Sequence, residues 1–164
     1  MATRRDAGAE LEYAAELINR VVDGVAGIRT AIHVCRGNWS RREEVLLAGD
    51  YMPLVGAFQK MHVDQFVLEY ATPRAGELAV IGESLASKEI GLGVVNPRTE
   101  TAEPVEEIVR QVKSALNFFA PERIFLNPDC GFGCFANRCV NDDETATEKM
   151  RHIVAAAKQL RASY

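Results

Sequence analysis

Nowhere in this sequence do apolar residues run on for the roughly 20 positions that a membrane-spanning helix needs. The residues after Met1 lead into polar positions rather than the apolar core of a signal peptide. No membrane partner is therefore expected, and the expected location is cytoplasmic. A surplus of positive charge is missing too. The 19 Lys and Arg stand against 23 Asp and Glu, giving a net charge of -4, so no basic field draws in nucleic acid or an anionic surface. Histidine and cysteine are scarce, at 3 and 4, which makes each placement informative. The cysteines also lack the spread of a disulfide framework: Cys130, Cys134 and Cys139 crowd into one short stretch, while Cys35 stands far off, two positions after His33. In a reducing compartment that pattern favours metal-binding or catalytic thiolates over bridges.

What is present fits one soluble domain. With 164 residues, 48% of them hydrophobic and 26% charged, the chain is long enough for one ordinary core. No repeat, low-complexity segment or linker divides it, and a single domain over residues 1–164 is expected. Leu11, Ala14, Ala15, Ile18, Val21 and Val22 recur at helical spacing and stop at Gly24. Ile28 to Val34 reads as a buried strand, followed by a loop. Ser40 with Glu43 fits a capping box, and Pro53 opens a helix reaching about Met61.

Phe66 to Leu68 gives a second strand, Glu77 to Glu83 a modest helix, and Ile90 to Val95 a third strand. Val105, Ile108, Val109, Val112, Leu116 and Phe119 mark a helix behind Pro104. A fourth strand over Arg123 to Leu126 delivers Asn127-Pro128-Asp129-Cys130 and a glycine-rich loop. The last helix runs from about Asp142 to Arg161, with Met150, Val154, Ala157 and Leu160 expected inward. Strands apolar on both faces, alternating with helices, predict an α/β fold with a parallel sheet. Two architectures share that order: an open doubly wound sheet, or part of a (β/α)8 barrel, since a complete barrel needs at least about 200 residues.

His33, Cys35, Glu69 and Cys130 all fall at or just past the C-terminal ends of predicted strands. In a parallel sheet those ends share one side, where α/β proteins gather their sites. His33 and Cys35 are two apart, so they share a strand face. One imidazole, two thiolates and a carboxylate suit tetrahedral Zn²⁺. Such a site has a net charge of about -1, which makes it a poor Lewis acid for carbonyls but leaves it able to hold an incoming thiol as a thiolate. That charge points to alkylation of sulfur, with the carboxylate as the ligand that yields its place. Asp129 either orients a ligand histidine as an acceptor or caps a turn. Arg36 and Arg74 either clamp an anionic substrate group or serve solvent and salt bridges, while His62 and His152 read as surface residues on helices. Cys134 and Cys139 read as small buried residues, with a redox loop shared with Cys130 as the other reading.

His33-Val34-Cys35-Arg36-Gly37-Asn38, Leu68-Glu69-Tyr70, Gly91 to Val94 and Asn127 to Gly133 resemble the C-terminal catalytic region of the cobalamin-independent methionine synthase family. They are similar also to its shorter relatives, which include the epoxyalkane:coenzyme M transferases. The resemblance covers nearly the whole chain. It implies the C-terminal half of a (β/α)8 barrel, with His33, Cys35 and Cys130 as zinc ligands and Glu69 as the exchangeable fourth. The implied reaction is methyl or alkyl transfer to a thiol: homocysteine from a methylfolate in the synthases, in methionine biosynthesis, or coenzyme M from an epoxide in the others. Glu69 and Asp129 are the catalytic candidates, and the expected small molecules are a thiol and an alkyl donor.

Two departures stand beside this likeness. The synthases carry a histidine beyond the third of these strands, where this chain has Asn96-Pro97-Arg98. Four strands also leave two unpaired edges, so a second copy of the chain or a separate N-terminal half-barrel is the expected protein partner. A half-barrel that binds zinc without turnover is the alternative reading of function.

Overall fold

The computed structural model describes residues 6–37, 40–133, 135, 137 and 139–164. Four strands, β1 (Ala31–Val34), β2 (Gln65–Leu68), β3 (Glu89–Val95) and β4 (Ile124–Pro128), lie side by side in the order of the chain. All three pairings are parallel. Among the described residues five α-helices accompany them: α1 (Ala7–Val22), α2 (Val55–Lys60), α3 (Ala79–Leu85), α4 (Val105–Ala115) and α5 (Asp143–Arg161). A sheet wound in strict chain order is what a barrel segment has, whereas a doubly wound sheet reverses its order at a switch point.

The register separates the two faces of the sheet. Ile32, Phe66, Ile90 and Ile124 form one row, and His33, Val67, Gly91 and Phe125 form the next row on the opposite face. The first face packs on the helices, where Phe66, Leu68, Ile90, Leu92 and Val94 join Ile81, Leu85, Ile108 and Val112 in the core. The other face carries Val67 and Phe125 beside His33, Gly91, Gly93 and Asn127. Between Gly93 and Val95 the pairing with β4 slips by one residue. The Asp129 amide then donates to the Val95 carbonyl at 2.8 Å, which carries the chain past the end of β4 in a set direction.

Several expectations change in detail. β1 begins at Ala31 and alternates between exposed and half-buried positions rather than being buried, because among the described residues it is an edge strand of the sheet. Ser40 closes a two-residue turn by accepting from the Arg42 amide at 3.2 Å, and only a single 3-10 turn follows, Glu43–Val45. Pro53 lies in a 3-10 turn that runs directly into α2. Pro104 is the N-cap of α4 rather than its first turn.

The inward face of α5 is rotated from the expected one. Lys149, Ile153, Ala156 and Leu160 are buried, while Met150 is 41% and Val154 48% exposed. Lys149, fully buried, donates to Thr99 Oγ1, the Thr101 carbonyl and Glu103 Oε2 at 3.0, 2.7 and 3.1 Å. All three of its protons are thereby used, which is what makes burial of an ammonium tolerable.

Replacing Ile153 by Ala should therefore cost about 2–5 kcal/mol in chemical denaturation, while Met150→Ala should stay within about 0.5 kcal/mol. Equal losses for the two would contradict this orientation of α5.

Candidate metal centre

The site is built where β1, β2 and β4 end. His33 projects from β1 on the face opposite the helices, and Cys35 follows two residues later. The His33 Nδ1 lies 3.1 Å from the Val67 carbonyl. A carbonyl only accepts, so Nδ1 carries the proton and the Nε2 lone pair is left for a cation. Gly37, at φ +97°, turns its amide back to donate to Cys35 Sγ at 3.4 Å. That conformation is open to glycine and strained for other residues.

Glu69, 1% exposed, continues β2 on the same face. Its Oε1 accepts from the Arg36 amide at 3.0 Å and its Oε2 from the Arg74 guanidinium at 3.4 Å. The Tyr51 hydroxyl accepts from the Glu69 amide at 2.9 Å and donates to the Val34 carbonyl at 3.4 Å, so one phenol joins the ends of β1 and β2. Burial, foremost, pushes that phenol well above its ordinary pKa, and it stays protonated. Nothing in the sequence marks Tyr51; only its place between the two strand ends reveals the role.

Asp129 sets the position of Cys130. Its carboxylate reaches across β3 to accept from the Ala71 amide at 2.9 Å and also from the Tyr70 amide. The path exists because Gly93 has no side chain: a Cβ there would lie 2.1 Å from Asp129 Oδ1. Of the two readings of Asp129, the hydrogen bonds belong to the turn-securing one, since His33 is oriented by Val67. Burial raises the Asp129 carboxyl to about 7, with the two amides pulling the other way and the neighbouring Glu69 charge adding to the rise.

One ligand atom each from His33, Cys35, Glu69 and Cys130 lie together within 4.8 Å of one another. The two sulfurs are 3.7 Å apart. Thiolates bound to one tetrahedral zinc at about 2.3 Å would be separated by about 3.8 Å, so the donor set and its spacing fit that ion.

Other expected residues fall elsewhere. The guanidinium of Arg36 is spent on the carbonyls of Arg74, Leu47 and Gly49 and lies over the Tyr51 ring, so it braces the loop after β1 rather than facing a substrate. Arg74 also holds the Leu47 carbonyl. His62 follows α2 instead of lying on it and pairs with Asp23 at 2.8 Å. His152, on α5, is half-buried against the Glu103 carbonyl at 2.6 Å. Cys139 is exposed, not buried, and Cys134 lies outside the described residues.

A family profile described as "Cobalamin-independent synthase, Catalytic domain" matches residues 2–159. The chain belongs to this family. Curated relatives include the methionine synthase of Pyrococcus abyssi, 36% identical over 155 residues, which cover 93% of this chain and 39% of that protein. The methionine synthase of Thermococcus kodakarensis is 34% identical over 122 residues, covering 74% of this chain and 32% of that one. Among solved structures, a B12-independent methionine synthase from Shewanella sp. W3-18-1, in complex with selenomethionine, superposes with a TM-score of 0.76 at 19% identity. That match covers 92% of this chain and 43% of the other, and it shows the fold: a four-stranded parallel part of that larger (β/α) barrel. The chain thus spans about a third to two fifths of the length of these relatives. Among the described residues no helix is long and apolar enough to cross a membrane.

Two substitutions read out the site's framework. Tyr51→Phe should leave the buried Glu69 amide unpaired and cost about 1–3 kcal/mol in a denaturant titration. Gly93→Ala should expel the Asp129 carboxylate and lower stability by about 1–3 kcal/mol, with weaker Co²⁺ binding followed by thiolate-to-metal absorbance. Wild-type stability in either variant would contradict the assigned contact.

Proposed function

We propose that this chain, acting as one domain over residues 1–164, carries the metal-binding half of a site that transfers a methyl or other alkyl group to a small-molecule thiol. The acceptor and donor class follows the methionine synthases to which the chain is similar. The observation that carries the reading is the convergence of His33, Cys35, Glu69 and Cys130 within 4.8 Å, drawn from three strand ends far apart in sequence.

His33 through Nε2, Cys35 and Cys130 through their sulfurs, and Glu69 through a carboxylate oxygen would hold the ion. Bound there, zinc supplies the positive charge that keeps a substrate sulfur deprotonated and nucleophilic.

The chain's own groups prepare the exchange. Cys35 and Cys130 keep the site anionic, and the Gly37 amide supports the charge on Cys35. Glu69 is the ligand suited to give way, because the Arg36 amide and the Arg74 guanidinium already hold its two oxygens. Those contacts would keep its charge paired away from the ion. Asp129, bonded to the Ala71 and Tyr70 amides, is a positioning residue that keeps Cys130 beside Glu69. Asn96-Pro97-Arg98 offers no histidine to protonate a leaving group, so any such proton comes from elsewhere.

The outer edges of β1 and β4, unpaired among the described residues, favour a second reading of the chain in isolation: it binds metal without turnover until the rest of the barrel is present.

Metal analysis of the purified chain should find about one zinc per molecule, retained through dialysis and lost on Cys130→Ser. Methylation of a thiol should require the remaining half-barrel. A chain that stays metal-free with its cysteines reduced would refute the proposal.

A further inference from the structure

We infer that Gln111, on α4, is a positioning residue for Glu69: it fixes the stretch of backbone from which the exchangeable carboxylate reaches the ion. The inference rests on the proposed function and adds to that site a residue from the helix layer.

The segment that carries Glu69 lies beyond the sheet's own pairing. β2 and β3 pair from Gln65 and Glu89 to Leu68 and Leu92, and Glu69 is the next residue. Side chains take over the backbone from there. The Tyr51 hydroxyl accepts from the Glu69 amide, and the Asp129 carboxylate accepts from the amides of Tyr70 and Ala71. These contacts meet donors only. The acceptor side is met by Gln111, whose Nε2 donates to the Tyr70 carbonyl at 2.6 Å and to the Gly93 carbonyl at 3.2 Å. One side-chain amide thereby joins the extension of β2 to β3 just past the last paired residues.

The chemistry of that contact is specific. A carbonyl only accepts, so the two protons of a side-chain NH2 match two carbonyls one for one. A carboxylate of the same size has no proton to give, and an aliphatic side chain leaves both carbonyls unpaired. The location is equally specific. Ile108, Val109, Val112 and Ala115 are the buried residues of α4, which packs on β3. Gln111 lies three residues after Ile108 and four before Ala115, on the same side of the helix. A polar group half-buried there costs free energy unless its bonds are made, and both of its protons are used. Helical spacing of apolar residues passes over this position, which is why the sequence did not mark it.

Two clamps meet at one glycine. Asp129 passes Gly93 on the face opposite the helices, where a Cβ would lie 2.1 Å from its Oδ1, and Gln111 takes the carbonyl of the same residue from the helix side. The place of Glu69 is thus set from both faces of the sheet. With the backbone held, release of Glu69 from the ion is a movement of its side chain alone. Loss of Gln111 frees the segment after β2 and weakens the oxygen ligand, while His33, Cys35 and Cys130, carried by β1 and the turn after β4, keep their places.

The test is a double-mutant cycle on the purified 164-residue chain, read as zinc affinity in competition with a chromophoric chelator. Gln111→Leu and Gln111→Glu, which both place good helix formers on α4, should each weaken zinc binding about tenfold to a hundredfold. Saturated with Co²⁺, both variants should keep the thiolate-to-metal absorbance of the wild-type chain, since neither sulfur is lost. In the Glu69→Gln background, Gln111→Leu should have no further effect on affinity. Val112→Ala, a core truncation on the same helix, should lower stability and leave zinc affinity unchanged, which separates positioning from loss of packing.

Wild-type zinc affinity in both Gln111 variants would overturn the inference, as would an undiminished loss in the Glu69→Gln background, a lost thiolate band or an equal loss in Val112→Ala. With a wild-type chain that binds zinc, each of these results leaves the proposed function standing. A metal-free wild-type chain refutes the proposed function and the inference with it.

Discussion

Curvature of the sheet is the constraint on which everything else depends. Cys35 and Cys130 follow the two outermost strands, which in a flat sheet would be three spacings, or about 14 Å, apart. Their sulfurs are 3.7 Å apart. The concave face can close this far because β3, which crosses its middle, carries Gly91 and Gly93 there. A Cβ on either would meet Asn127 or Asp129 at 2.9 or 2.1 Å. At the other end of the strands, Arg29 reaches inward to Glu89 at 2.9 Å and over the Phe125 ring, so a residue just ahead of β1 touches β4 there too. Loops repeat the pattern at the top, where Arg41, beyond β1, donates to the Val140 carbonyl at 2.6 Å.

That geometry governs the electrostatics. Two sulfurs and a buried carboxylate converge on a small volume, where the Gly37 amide supports Cys35 and the Arg36 amide and the Arg74 guanidinium support Glu69. An anionic pocket of this kind is costly without a cation, which makes metal binding part of its stability as well as of its chemistry. Asp129 and Tyr51 act on the segments that carry the ligand atoms. They hold those segments, one from across β3 and the other from between β1 and β2.

The parts of the fold legible in sequence were those governed by short-range patterns. Apolar runs located the four strands to within a few residues, and the rule that parallel strands end on one side brought His33, Cys35, Glu69 and Cys130 together before any coordinates. The rest depended on neighbours that periodicity cannot see. On α5 the apolar residues form two adjoining stripes: Ile153, Ala156 and Leu160 meet this chain's core, while Met150 and Val154 face the groove at the β4 edge. A stripe reading cannot tell them apart, and Lys149 hid among them as a buried charge satisfied by the loop after β3. β1 read as buried because its residues are those of an interior strand, whereas among the described residues it lies at an edge of the sheet. Tyr51 gave no signal because a hydroxyl that ties two strand ends together has no spacing of its own.

X-ray absorption at the zinc edge of the purified, metal-loaded chain tests the central claim most directly, because it counts the ion's neighbours by element. The arrangement of His33, Cys35, Glu69 and Cys130 predicts two sulfur and two nitrogen or oxygen neighbours, with one sulfur lost in Cys35→Ser. A first shell of nitrogen and oxygen alone, or one that includes a third or fourth cysteine sulfur, would contradict it.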